Sequence, residues 1–270
     1  MVMLDRLMFR DALAMLRRVE GMARQNRDVR RIRSLPRIGT IATIPSRADS
    51  FAEVLPRLLP QVDRLFVYLD GFDAQPSVLE GQSKLVVFRA EQCGNLHASS
   101  RLLPLTFLDT SSIFVVFDDD ILYPADYVAR LVEGLAARGG RAIVGFHANC
   151  FRPPYQSYVR DRICLNFKER LEIDTEVDEL GVGTCAFLSD VFLVDPRKFP
   201  HVNKDDIVLA IEAKRRGLPR IALRRSGGWL PRHPKPQVEN LWARTVEDDS
   251  AETRLLGQLV SPLERFIGSG

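Results

Sequence analysis

The stretch Ile113–Asp126, I-F-V-V-F-D-D-D-I-L-Y-P-A-D, constrains the fold more than any other. Five apolar residues, Ile113 to Phe117, run straight into Asp118, Asp119 and Asp120. An uninterrupted run of β-branched and aromatic residues is the pattern of a strand buried on both faces. Three adjacent carboxylates at its end repel one another, and burying them bare is too costly. They call for a cation, and a divalent metal carrying a phosphorylated ligand is the usual partner. The competing reading is a solvated acidic strand end, and the rest of the chain must separate the two.

From Ile38 the pattern alternates strands with helices. Strands are expected at Ile38–Ile44, Arg64–Leu69, Lys84–Phe88, Ile113–Phe117 and Ala142–Phe146. Shorter ones are expected at Ile163–Phe167, Ala186–Leu188, Val191–Val194 and Ile221–Leu223. Helices are expected from Ser50 to Leu58, Ser99 to Leu108, Pro124 to Arg138, and Lys204 to Arg216, the last capped by Asn203 and stopped by Gly217. Alternation of this kind predicts a mainly parallel sheet with right-handed crossovers. Ligands of such sheets bind at the carboxyl ends of the strands. Arg47, Asp70 and the three Asp residues all fall at those ends. Gly181-Val182-Gly183-Thr184-Cys185-Ala186 formally matches G-x-G-x-x-A, but no apolar strand precedes it, so a tight turn is expected rather than a dinucleotide fingerprint.

Composition narrows the class. At 270 residues, 46% hydrophobic and 27% charged, the chain fits one large α/β domain, or a domain plus an extension. It has no run of about 18 apolar residues, which argues against a spanning helix. Asp5, Arg6, Arg10 and Asp11 interrupt the first apolar stretch, so no secretory signal is read there. Cys93, Cys150, Cys164 and Cys185 show no C-x-x-C spacing and read as free thiols in a reducing compartment. Residues 1–37 carry ten Arg against four acidic residues, while the remainder is slightly acidic, so the body is not a nucleic-acid binder by charge. Residues 3–24 have the spacing of an amphipathic helix with a basic face. Packing against the body or a second subunit is the first expectation for it. Contact with an anionic membrane surface comes second and nucleic acid last.

Over Ile38–His233 these features resemble the GT-A-fold nucleotide-sugar glycosyltransferases, and are similar to glycosyltransferase family 2. The resemblance implies a GT-A (Rossmann-like), mainly parallel central sheet flanked by helices. Residues 1–37 would form a basic helical extension, 38–246 the transferase domain and 247–270 a C-terminal tail. Asp118 and Asp120 match the D-x-D motif, Asp120 as a ligand of Mn²⁺ or Mg²⁺ and Asp118 on the metal side, facing ribose or a metal-bound water. Asp119, on the other side by alternation, has a supporting place beside the nucleotide sugar. Pro45, Ser46 and Arg47 match the donor loop. Asp70 matches the acid that accepts from the base N–H, and Asn95 and Arg101 match residues near the nucleotide. Asp205 and Asp206 match an acidic pair opening a helix, Asp206 as general base and Asp205 as its helper, although acids there also suit the helix dipole. His233 falls where some members place a histidine near the metal or diphosphate. Arg232 and Lys235 are further diphosphate candidates, and Gly181–Thr184 and Trp229 are acceptor-site candidates.

The Q-x-x-R-W motif of processive members is missing near Gln237–Trp242, which implies transfer of single sugars. The expected activity is metal-dependent, inverting transfer from a nucleotide sugar, a UDP-sugar first, to a glycan or lipid-linked acceptor in bacterial surface polysaccharide synthesis. The expected location is the cytoplasm, with membrane contact or dimerisation through residues 3–24. Two alternatives stay open: a sugar-phosphate nucleotidyltransferase, although Thr43–Asp49 lacks the glycines it would want, and a non-enzymatic nucleotide- or glycan-binding module of a membrane assembly. Retention of configuration also stays open.

Overall fold

The computed structural model describes residues 26–234 and 241–260. The helix expected over 3–24 and the diphosphate candidate Lys235 lie outside them. Eleven strands are described: β1 (Arg37–Thr43), β2 (Arg64–Leu69), β3 (Leu85–Arg89), β4 (Ile113–Phe117), β5 (Ile143–Gly145), β6 (Ala148–Phe151), β7 (Arg162–Leu165), β8 (Thr175–Glu176), β9 (Glu179–Leu180), β10 (Cys185–Leu188) and β11 (Arg220–Ala222). The longer helices are α1 (Ala48–Leu58), α2 (Tyr127–Ala136), α3 (Asp205–Arg215), α4 (Leu241–Glu247) and α5 (Ser250–Val260). The main sheet runs β3-β2-β1-β4-β10-β5-β11-β8, and β7-β6-β9 form a second, three-stranded sheet. Pairing is parallel from β3 through β4 and between β5 and β11. β10 lies antiparallel between β4 and β5. This is the mainly parallel, helix-flanked sheet that the GT-A resemblance implies.

All five residues of β4 are fully buried, as a central strand covered on both faces must be. Alternation sorts their side chains. Ile113, Val115 and Phe117 join the layer formed with α1 and α2. Phe114 and Val116 join the opposite layer, where Leu102, Leu105, Leu209 and Ala213 pack. Each such buried side chain contributes roughly 1.5–3 kcal/mol. The buried β4 therefore fixes where Asp118 begins.

Several expectations change. The helix expected from Ser99 to Leu108 is a 3₁₀ helix, His97–Thr106. Ser100 Oγ donates to the His97 carbonyl, Arg101 Nε to Ala98 and Thr106 Oγ1 to Leu103, and Pro104 has no N–H to give. Side-chain bonds reaching back three residues and a missing donor favour the tighter spiral. Val191–Val194 is not a strand. The N–H groups of Val191 and Phe192 both return to the Leu188 carbonyl, so the chain turns as soon as β10 ends. Asn203 is not the cap of α3, because Lys204 holds the N-cap position and Asn203 adopts a positive φ of 61°.

Segments on either side of the expected domain limits pack against the body. Residues 26–34 are helical, and Ile32 is buried in the main core, with Arg33 paired to Glu133 of α2 at 2.7 Å. The segment expected as a tail contains α5, whose Leu255, Leu256 and Leu259 are buried against Ile207 and Ile211 of α3. No described helix is long and apolar enough to cross a membrane.

Candidate functional site

A cavity of about 370 Å³ opens where β4 ends, between the main sheet, α3 and the second sheet. Asp118, Asp119 and Asp120 form one wall with Asp205 and Asp206 from the start of α3. These two acidic groups lie far apart in sequence, and Arg101 joins them. Its guanidinium contacts the carboxylate of Asp118 through Nη1 and that of Asp205 through Nη2, the latter at 3.2 Å. Burial opposes its charge, but Asp118 and Asp205 outweigh burial and raise its pKa.

The three adjacent aspartates have separate surroundings. Asp119 is buried and accepts from Arg47 Nη1 at 2.9 Å. Burial raises its pKa, and Arg47 opposes the rise. Asp120 is buried with Arg232 Nε at 3.6 Å. Burial first, then the charge of Asp118, pushes its carboxyl up to about 6. Asp118 is partly open to solvent, and its own N–H donates to Tyr123 Oη at 2.7 Å. Tyr123 Oη in turn donates to the Gly183 carbonyl at 2.6 Å, which ties the turn after β9 to the end of β4.

The second acidic pair is divided in the same way. Asp205 is buried and held by the Ser99 hydroxyl and Arg101. Asp206 faces the cavity and accepts from the Val182 N–H at 2.8 Å. Burial pushes its carboxyl up to about 6, against the opposing Val182 N–H and Arg101. Asn203, which does not cap α3, instead accepts from the Ala98 N–H and gives its own N–H to Ser99 Oγ, both at 3.0 Å. The 3₁₀ segment is thereby clamped to α3.

The cavity thus brings together Arg47, Arg101, Asp118, Asp119, Asp120, Asp205 and Asp206 of the expected residues, with the diphosphate candidate Arg232 and the acceptor-site candidates 181–184. Asp70 stands outside its lining, at the end of β2, with His97 Nδ1 at 2.8 Å from its carboxylate. Pro45 and Ser46 form the 3₁₀ turn that carries Arg47, and Asn95 sits at a positive φ of 52° before His97. His233 gives its N–H to the Asp120 carbonyl at 2.8 Å, while its Nε2 lies 3.2 Å from Glu53 rather than in the cavity lining. Trp229 is not in the cavity either. It stacks on Tyr127 and gives its Nε1–H to Asp126 at 3.1 Å.

Trp242 is the tryptophan that lines the cavity. Arg162, Asn149 and Tyr158 also line it, although no sequence motif singles them out. Only their placement on β6, β7 and the connection between them, opposite the end of β4, brings them in. Behind them the buried Glu179 accepts from Asn149 Nδ2 at 2.6 Å and from Tyr158 Oη at 2.8 Å. Burial and the neighbouring Asp206 raise its carboxyl to about 8.

Among the described residues no cluster of three or more His, Cys, Asp or Glu side chains has the arrangement to enclose a metal ion by itself. A hard cation that keeps water and phosphate oxygens needs only one or two carboxylates from the protein. Asp118 and Asp120 supply such a pair. The raised pKa of Asp120, due to burial and then Asp118, marks a carboxylate wanting positive charge beyond that of Arg232. The donor set fits a divalent cation held jointly with a phosphorylated ligand.

No family model matches the sequence, and no curated protein matches it. Among solved structures, the chain is similar to the galactosyltransferase LgtC in complex with donor and acceptor sugar analogues. That similarity has 12% identity and a TM-score of 0.47, and covers 84% of this chain and 98% of that one. The chain is also similar to an active-site mutant of LgtC, at 10% identity and a TM-score of 0.41, with the same shares covered.

Proposed function

We propose that this chain is a metal-dependent glycosyltransferase that moves one sugar from a nucleotide-sugar donor, a UDP-sugar first, to a hydroxyl of a glycan or lipid-linked acceptor, with inversion. The observation that carries the reading is the bridging of Asp118 and Asp205 by one guanidinium, that of Arg101. It joins a strand-end acidic cluster suited to a cation with a helix-start pair suited to proton transfer. In this reading Asp120 and Asp118 hold Mn²⁺ or Mg²⁺. A cation held there would supply the positive charge that a leaving diphosphate needs. Arg47 and Asp119 brace the donor side, with Pro45, Ser46, Asp70 and Asn95 at its rim.

Asp206 takes the proton of the attacking acceptor hydroxyl. One of its oxygens is occupied by the Val182 N–H, which fixes the carboxylate plane. A carboxyl at about 6 is largely ionised at pH 7 yet more basic than an ordinary aspartate, as a general base requires. Asp205 positions the start of α3 through Ser99 and Arg101 and stays out of the proton transfer. His233 acts through its backbone N–H on Asp120. Synthesis of a surface polysaccharide is the setting that suits such a transfer.

Titration calorimetry of the full chain with UDP, GDP and CDP, with and without Mn²⁺, tests the reading. Binding of a nucleoside diphosphate that requires Mn²⁺ and disappears in Asp120→Ala is expected. No binding of any of the three would overturn it.

A further inference from the structure

The cavity has a second wall of opposite character. Arg162 of β7 lies over the Trp242 indole, with Cζ 3.6 Å from the ring centroid, and Lys168 follows in the loop after β7. Neither makes an ion pair with the described residues, whereas Arg47, Arg101 and Lys204 in the same cavity all do. Arg225 stands buried behind that loop. It donates to four backbone carbonyls, those of Leu165, Asn166, Phe167 and Leu223, at 2.6–3.2 Å. These bonds hold the loop that carries Lys168 and satisfy the guanidinium, but none brings a negative charge. Arg232 lies between the two walls, 3.6 Å from Asp120 and 5.9 Å from the Phe167 ring centroid.

Two further groups on this wall point to a ligand. His147 lines the cavity, and its Nδ1 is buried without a hydrogen-bond partner among the described residues. Burial first, then Arg162, Arg232 and Arg225, hold its imidazole at about 4, so the ring is neutral and the local potential positive. The buried Asn149 Oδ1 is likewise unpartnered and, as an acceptor, suits a hydroxyl of the same ligand rather than its anion. Buried polar groups normally find partners, and guanidinium and ammonium groups bind oxyanions best. Stacking on Trp242 also holds the Arg162 guanidinium in place before anything binds.

On the function proposed above, the donor diphosphate is neutralised at the aspartate wall, which leaves this wall open to a second anion. We infer that Arg162 and Lys168 receive an oxyanion carried by the acceptor, a phosphate or a carboxylate, and that the acceptor class is anionic sugars rather than neutral glycans. The inference rests on the donor reading but can fail separately from it.

The test is titration of the full chain, saturated with UDP and Mn²⁺, with three probes: a methyl hexoside, the matching hexose 1-phosphate and the matching methyl hexuronide. At least one anionic probe should bind tenfold or more tightly than the neutral one, and which of them does identifies phosphate or carboxylate. Arg162→Gln with Lys168→Gln should remove that preference while UDP affinity stays within twofold. Arg162→Lys should keep part of it, because charge remains and only the planar fork is lost. Equal binding or no binding of the three probes overturns the inference, as does a double variant that weakens UDP tenfold, which would assign the wall to the donor. Failure of UDP itself to bind would instead overturn the donor reading and this one with it.

Discussion

A methyl group placed on Gly183 would stand 2.0 Å from the carboxylate of Asp118. The backbone of the turn after β9 therefore comes as close to that carboxylate as a chain can, and only glycine permits it. Gly183→Ala should displace Asp118 or the turn, weakening Mn²⁺-dependent UDP binding by tenfold or more. Overpacking of this kind should also cost about 1–3 kcal/mol of stability. Calorimetry and urea unfolding measure the two effects, and unchanged UDP affinity would show that Asp118 does not reach the donor.

Arg101 is the group that makes one site of two acidic pairs. Arg101→Met would keep most of the side chain's bulk while leaving Asp118 and Asp205 without their shared cation. Removing one partner from a buried ionic cluster costs roughly 3–5 kcal/mol. Chemical unfolding should report a loss of this size, and Mn²⁺ should restore part of it by giving the Asp118 carboxylate a cation again. A loss that Mn²⁺ leaves untouched would place Asp118 outside the metal site.

Much of this arrangement is legible in the sequence because one property controls it. Apolar runs bounded by polar turns announce β2 and β4 to the residue, and the acids at a strand end follow from β4. What escapes the sequence depends on contacts between distant segments. The 3₁₀ path of His97–Thr106 is set by side-chain bonds to its own carbonyls, which apolar spacing does not register. Arg162 and Lys168 look like any solvated cations until β7 is paired with β6 and its exit loop is pinned by Arg225. Glu179 reads as part of an acidic loop, yet Asn149 and Tyr158 draw it fully inside.

The C-terminal segment reads in the sequence as polar and then weakly helical, and only its packing escapes that reading. Leu256 is fully buried against α3, the helix that carries Asp205 and Asp206. Leu256→Ala should cost about 2–5 kcal/mol of stability. A loss near zero in urea unfolding would mean that α5 is an appendage rather than part of the core.

On the proposed function, Asp206 gives sugar transfer its acid limb. With its carboxyl at about 6, sugar transfer should fall tenfold per pH unit below that value, as the base becomes protonated. Asp120 titrates in the same range, so UDP binding must be measured at each pH and divided out. Asp206→Asn should abolish transfer and its pH limb while leaving UDP affinity nearly intact. Full transfer by this variant would remove Asp206 from the chemistry.

Glu179 makes the opposite demand on the fold. Its carboxyl is raised from 4.5 to about 8 by burial and then by Asp206, so the folded chain holds a proton that the unfolded chain releases. Below about pH 4.5 both states are protonated and the contribution of this group is fully present. As pH rises through the window up to about 8 that contribution is lost, because folding must take up a proton that becomes scarcer. The slope from one such group is at most about 1.4 kcal/mol per pH unit. Glu179→Gln is neutral throughout and keeps an oxygen for Asn149 and Tyr158. Urea unfolding at intervals from pH 5 to 8.5 should show the variant gaining on the parent chain as pH rises, and then a constant gap. Parallel stability curves would mean that Glu179 is ionised in the folded protein, with a cation rather than a proton balancing it.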